Sequence, residues 1–128
     1  MIKNFFLFFF SLLFISSCDK EIENNSAQNE FGEGTYILTD NGLSYMKIGS
    51  DSVTNNIFSN VNAYSIINPK KIKIYGNRLY ILGNDFYATD LNTMKLLGQV
   101  NGFSNAAGCA IITQNRAFVT DKSESSVK

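Results

Sequence analysis

The sequence predicts an all-β chain, and three observations carry that expectation. Short runs rich in β-branched, aliphatic and aromatic residues recur along it. Asn, Gly, Asp and Ser fill the gaps between them, and no stretch shows a sustained helical period. The single proline, Pro69, falls just before an expected strand and interrupts none.

In chain order, residues 1–17 precede the fold and have the layout of a removable export signal. Lys3 supplies the positive start, and Phe5 to Ile15 form an apolar run of about eleven residues. A spanning helix needs roughly 20 such residues to cross about 30 Å of hydrocarbon, so this run is too short to span. Ile15, Ser16 and Ser17 then place two small residues directly before Cys18, where a peptidase must accept an extended backbone without side-chain clash. The Cys18 thiol is a soft nucleophile suited to attack a lipid donor and form a thioether. The quartet resembles the lipobox of bacterial lipoproteins, which implies cleavage before Cys18 and acylation of the new terminus. An ordinary secretory signal followed by a structural cysteine is the competing reading. Each buried acyl methylene contributes about 0.8 kcal/mol, so two or three chains would hold the protein permanently on a membrane without crossing it.

Residues 18–35 read as the lipidated terminus and a flexible acidic tether. Between 19 and 35, Asp19, Glu21, Glu23, Glu30 and Glu33 face Lys20 alone, and too few apolar residues are present to offset the entropy of ordering. The composition changes at Tyr36, so residues 36–128 form the expected domain. Tyr36 to Thr39 is the first strand, Asp40-Asn41-Gly42 a turn, and Leu43 to Ile48 the second strand. Gly49 to Ser52 forms another turn, and Val53 to Phe58 a weaker third strand. Lys71 to Tyr75 alternates at period two, Gly76-Asn77 forms a two-residue turn, and Arg78 to Leu82 returns. Phe86 to Leu91, Lys95 to Val100, Ala110 to Thr113 and Arg116 to Thr120 complete the series.

Self-similarity organises these strands. Asn77-Arg78-Leu79-Tyr80-Ile81 aligns with Asn115-Arg116-Ala117-Phe118-Val119 at an offset of 38, and Tyr36-Ile37-Leu38 with Tyr80-Ile81-Leu82 at 44. A period near 40 residues with four short strands is the mark of a β-propeller blade. The expected architecture is therefore a partial β-propeller of about two to three four-stranded blades. Such rings close with roughly 4–8 blades, so the chain reads as a fragment of a longer ring, with a small open β-structure as the alternative.

The run Ile74-Tyr75-Gly76-Asn77-Arg78-Leu79-Tyr80-Ile81, followed by Thr89-Asp90-Leu91-Asn92-Thr93 and Gly98-Gln99-Val100, resembles the YncE-like seven-bladed propellers of Bacteroidota cell-surface lipoproteins. Gly34-Thr35-Tyr36-Ile37-Leu38 is similar to the opening of their first blade. The resemblance covers about residues 34–128. It implies an outer-membrane lipoprotein exposed at the cell surface, with a periplasm-facing protein as the alternative. The acidic Asp19, Glu21 and Glu23 after Cys18 resemble the surface-export signal of that bacterial group. Relatives of this type act as substrate-capturing partners of outer-membrane transporters, so the resemblance implies capture of a small molecule, glycan or protein, as in nutrient uptake.

Composition restricts the chemistry further. Lys plus Arg and Asp plus Glu both number 11, leaving no basic excess to neutralise nucleic-acid phosphates. Histidine is absent, which removes Ser-His-Asp and Cys-His arrangements and imidazole metal sites. No catalytic residue, metal site or cofactor is expected within these residues. The alternative is the N-terminal part of a lactonase-like or quinoprotein-like propeller enzyme whose active site lies elsewhere. Cys109, left alone once Cys18 is lipidated, reads as a small core residue. Thr39-Asp40, Thr89-Asp90 and Thr120-Asp121 read as turn caps rather than calcium ligands, because they fall on different strands. The connections Asn60 to Lys70 and Asn101 to Gly108 carry Tyr64, Phe103 and Asn105, an aromatic-plus-amide set suited to gripping a ligand. Asp51-Ser52-Val53 resembles a short O-glycosylation motif, with Ser52 the acceptor.

Overall fold

The computed structural model describes residues 30–123 together with 126 and 127. Strand residues dominate, 51% against 6% helix, so the all-β class holds. Among the described residues three small antiparallel sheets follow one another, none closed on itself. The first joins β1 (Gly34–Thr39) to β2 (Gly42–Lys47). The second runs β3 (Lys71–Tyr75), β4 (Arg78–Leu82), β5 (Phe86–Asp90) and β6 (Leu96–Val100) as a four-stranded meander. The third runs β7 (Ala106–Thr113), β8 (Arg116–Asp121) and β9 (Ser126–Val127).

Each sheet opens with a hairpin across two residues, pairing Thr39 with Gly42, Tyr75 with Arg78 and Thr113 with Arg116. Two-residue loops demand positive φ at defined positions, and in the middle hairpin Gly76 supplies it at φ +58°. A β-carbon there would also crowd the side-chain amide of Gln114, which belongs to the turn of the next sheet.

Period-two alternation then decides how the sheets pack. Successive side chains leave opposite faces of a strand, so Leu79 and Ile81 of β4 point one way and Tyr80 and Leu82 the other. The first pair joins a core cluster with Tyr87, Met94, Leu43, Tyr45, Ile57 and Phe58, uniting the first and second sheets. The second pair joins Phe86, Phe103, Ala106 and Val119, uniting the second and third. The middle sheet is thus covered on both faces, which is why β4 reads as an unbroken apolar run rather than a half-polar strand. Backbone and side-chain bonds fasten the first sheet to the second. Phe31 N–H donates to Asn92 O (2.9 Å), and the Tyr36 hydroxyl donates to Leu91 O (3.1 Å).

Three local expectations change. Val53 to Phe58 is not a strand: only Thr54 bridges to Tyr45, and α1 (Ile57–Asn62) follows it. Burial of Ile57 and Phe58 against the core wins over their β propensity, and the Asn62 side chain locks the helix end to β6 by accepting from Leu96 N–H (2.9 Å) and donating to Met94 O (3.0 Å). The strand placed at Ala110 begins at Ala106, because Asp121 and Thr120 of β8 pair with Ala106 and Gly108. The folded part also begins before Tyr36. Phe31 is buried beside Tyr45, ring centroids 5.4 Å apart and nearly perpendicular, and Gly34 and Thr35 already belong to β1.

Candidate ligand cleft between the second and third sheets

Between the second and third sheets lies a cleft of about 410 Å³. Small side chains open it. Register pairs Ala88 of β5 with Gly98 of β6, so these two residues share the face of the middle sheet that looks toward β8. Ala117 lies opposite on β8, and a β-carbon placed on Gly98 would meet nothing within 4 Å. Phe86, Phe103 and Val119 complete an apolar floor. Tyr80 and Phe86 stack there with centroids 5.8 Å apart and ring planes 18° from parallel.

One end of the cleft is a polar rim that ties the two sheets together. The Tyr80 hydroxyl donates to Gln114 O (2.8 Å), and Arg78 Nη1 donates to Asn115 Oδ1 (2.9 Å) and to Gln114 O. Arg116, at the start of β8, adds a second guanidinium to the lining, which holds no carboxylate. The arrangement can hold an apolar or extended guest between two sheet faces and offer it amide and guanidinium donors. It contains no nucleophile–base pair. Among the described residues, no group of three or more His, Cys, Asp or Glu side chains comes together to hold a metal ion.

The sequence candidates fall in several places. Phe103 is buried and lines the cleft. Tyr64 packs edge-on against Phe58 (5.5 Å) and donates to Gln99 Oε1 (3.2 Å); Gln99 borders the cleft, but Tyr64 itself does not line it. Asn105 lies outside the cleft too; its N–H donates to Asp121 Oδ1 (3.1 Å). Ser52 is exposed in the loop after β2, its hydroxyl 2.9 Å from that of Ser50. Ile15, Ser16, Ser17, Cys18, Asp19, Glu21 and Glu23 lie outside the described residues. The sequence reading missed Arg78, Ala88, Gly98 and Ala117. The Gly76-Asn77 turn fixes only the β3–β4 hairpin; Ala88 meets Gly98 through the later β5–β6 register, which shifts between Ala88 and Thr89 and is not set by any short turn motif.

Two of the three Thr-Asp pairs cap turns through the carboxylate. Asp90 Oδ1 accepts from Asn92 N–H (3.0 Å), Thr93 N–H (2.9 Å) and the Thr93 hydroxyl (3.0 Å). Partial burial opposes its charge, but these donors outweigh that and hold the carboxyl below its ordinary value. Asp121 gathers the Ser123 hydroxyl (2.6 Å) and the N–H groups of Ser123, Ser104 and Asn105, and its carboxyl is likewise held low, chiefly by that hydroxyl. Across the sheet, burial together with the nearby Asp85 carboxylate pushes the Tyr87 phenol up to about 12. Cys109 is half-buried against the second cluster, and burial raises its thiol. Among the described residues no helix is long and apolar enough to cross a membrane.

No protein-family model matches the chain, and no curated protein matches it either.

Proposed function

We propose that this is a lipid-anchored outer-membrane protein, displayed at the cell surface, whose stacked sheets belong to a YncE-like β-propeller and serve as a binding scaffold. It captures a small molecule, glycan or protein partner and works beside an outer-membrane transporter in nutrient uptake. The anchor half rests on Ile15-Ser16-Ser17-Cys18 and the apolar run before it. The observation that carries the scaffold half is the cleft, an apolar floor with a donor-bearing rim and no catalytic constellation beside it.

The repeat supports a longer stack of sheets than these three. Phe118 of β8 is the counterpart of Tyr80 by the offset of 38, yet Tyr80 is 3% exposed under the third sheet and Phe118 is 47% exposed. Ile112 and Val127 are exposed on the same sheet. An apolar face of that kind suits a fourth sheet, as in a ring.

Metabolic labelling with palmitate tests the anchor. The expected outcome is a labelled protein that protease removes from intact cells, with the label lost in Cys18→Ala. Label retained by Cys18→Ala contradicts the anchor, and protection from protease on intact cells contradicts surface display.

A further inference from the structure

Three connections meet at one end of the middle sheet: residues 63–70 between α1 and β3, 83–85 between β4 and β5, and 101–105 between β6 and β7. The middle one is the hub. Asn84 N–H donates to Ile67 O (3.0 Å) and Asn84 O accepts from Phe103 N–H (3.2 Å), so one residue's backbone braces both neighbouring loops. A β-carbon on Gly83 would crowd Ile67 O, so the close approach of the first two connections needs a glycine. Asp85 continues the bracing. Its Oδ1 accepts from Gly102 N–H (3.2 Å), and its Oδ2 accepts from the Tyr87 hydroxyl (3.3 Å) and from Gln99 Nε2 (3.2 Å). Gln99 Oε1 accepts in turn from the Tyr64 hydroxyl (3.2 Å). On the other side of the hub, Asn68 Nδ2 donates to Asn84 Oδ1 (3.2 Å).

From this arrangement we infer that the loop cluster around Tyr64, Asn84 and Asp85 is a binding site for a neutral saccharide. A pyranose ring presents an apolar face of C–H groups and a rim of hydroxyls, each of them both donor and acceptor. Its recognition therefore needs an exposed aromatic plane beside fixed planar groups of both hydrogen-bonding senses. Tyr64 supplies the plane: its ring is 40% exposed, held edge-on by Phe58 at 5.5 Å and 87°, and pinned at its hydroxyl by Gln99. Asn68 Oδ1 and Asn84 Nδ2 supply the two senses, since neither bonds a described residue. The half-exposed Asp85 carboxylate adds acceptor capacity already oriented by three donors. All of these groups are set by the protein's own contacts before a ligand arrives, on loops carried by a rigid sheet. Charge decides the class of sugar. The network holds no lysine or arginine, and its one formal charge is negative, so it opposes uronates, sulfates and phosphates. The inference rests on the capture reading above and gives it a ligand class and a second location, with Gln99 the residue shared with the cleft.

The test uses the full chain and neutral tetrasaccharides of glucose, galactose and mannose in α and β linkages, with tetragalacturonate as the charged control. Binding is followed by calorimetry and by amide chemical shifts. The expected result is saturable binding of at least one neutral tetrasaccharide, with shifts concentrated at residues 64–68, 83–85 and 101–102. Tyr64→Ala weakens that binding about tenfold, as loss of the aromatic plane requires. Tyr64→Phe keeps the plane and most of the affinity. Asn84→Ala, folded by circular dichroism, keeps the backbone brace and weakens binding by roughly fivefold through the lost amide. Gly98→Leu, in the cleft, leaves the affinity unchanged. Three results overturn the inference: no saturable binding of any neutral member, tetragalacturonate bound as tightly as the neutral sugars, or affinity unchanged in both Tyr64→Ala and Asn84→Ala. Affinity lost in Gly98→Leu and kept in Tyr64→Ala also overturns it, but leaves the capture reading standing with the cleft as its site. Absence of all saccharide binding with intact Cys18-dependent labelling removes this site and leaves the anchor standing.

Discussion

On one face of the middle sheet, Leu79, Ile81 and Tyr87 leave at most 1% of their surface to solvent; on the other, Ala88 and Gly98 sit under a cleft of about 410 Å³. The same four strands build both faces, so the difference lies in side-chain volume and in what packs opposite. The sealed face meets α1, Phe31 and two tyrosines of the first sheet, which fill the space that branched side chains leave. The open face meets β8, whose contribution at the cleft is the Arg116 side chain at its rim, a methyl from Ala117 and the side chain of Val119. Tight sealing and open space are thereby separated onto opposite sides of one sheet.

That separation can be broken by substitution. Leu79→Ala removes a fully buried side chain from the sealed face and is expected to cost about 2–5 kcal/mol in urea unfolding. Ala88→Val on the open face adds volume where space exists and is expected to change stability by no more than about 0.5 kcal/mol. Comparable losses at the two positions contradict the distinction between the faces.

A smaller effect tests whether the turn caps serve both faces. The Asp90 carboxyl is held below its ordinary value of 3.8, so its contribution is present above that value and is lost as pH falls through the lower folded-state one. Asp90→Asn is expected to flatten the acid limb of stability below about pH 4 while leaving unfolding near neutrality changed by under 1 kcal/mol, since the site is largely solvated. An unchanged acid limb in Asp90→Asn contradicts the capping role.

What the sequence made legible follows the locality of each signal. The strands β3 to β6 and their turns are short-range patterns, set by alternation and by Gly76-Asn77, and they sit within a residue or so of where they were expected. Helix α1 was not legible: six residues are less than two turns, Asn56 makes no side-chain capping bond, and Ile57-Phe58 reads as strand until the core they fill is known. The start of β7 was hidden because Ala106-Ala107-Gly108 has little strand preference of its own and is held by pairing with β8. Phe103 was found as an aromatic in a connecting loop. The cleft was not, because it is made by what is missing at Ala88, Gly98 and Ala117, residues of three strands brought together only by register and stacking.

Native-state amide exchange tests the central claim, a middle sheet whose inner strand β4 is paired along its length on both sides and a third sheet whose β8, among the described residues, is paired along its whole length with β7 alone. Amides of Arg78 to Leu82, in a strand paired along its length on both sides and buried on both faces, are expected to exchange only through global unfolding. The set from Arg116 to Val119 is expected to exchange at least about tenfold faster, through local opening of that strand. Equal, globally limited protection of the two sets contradicts the account.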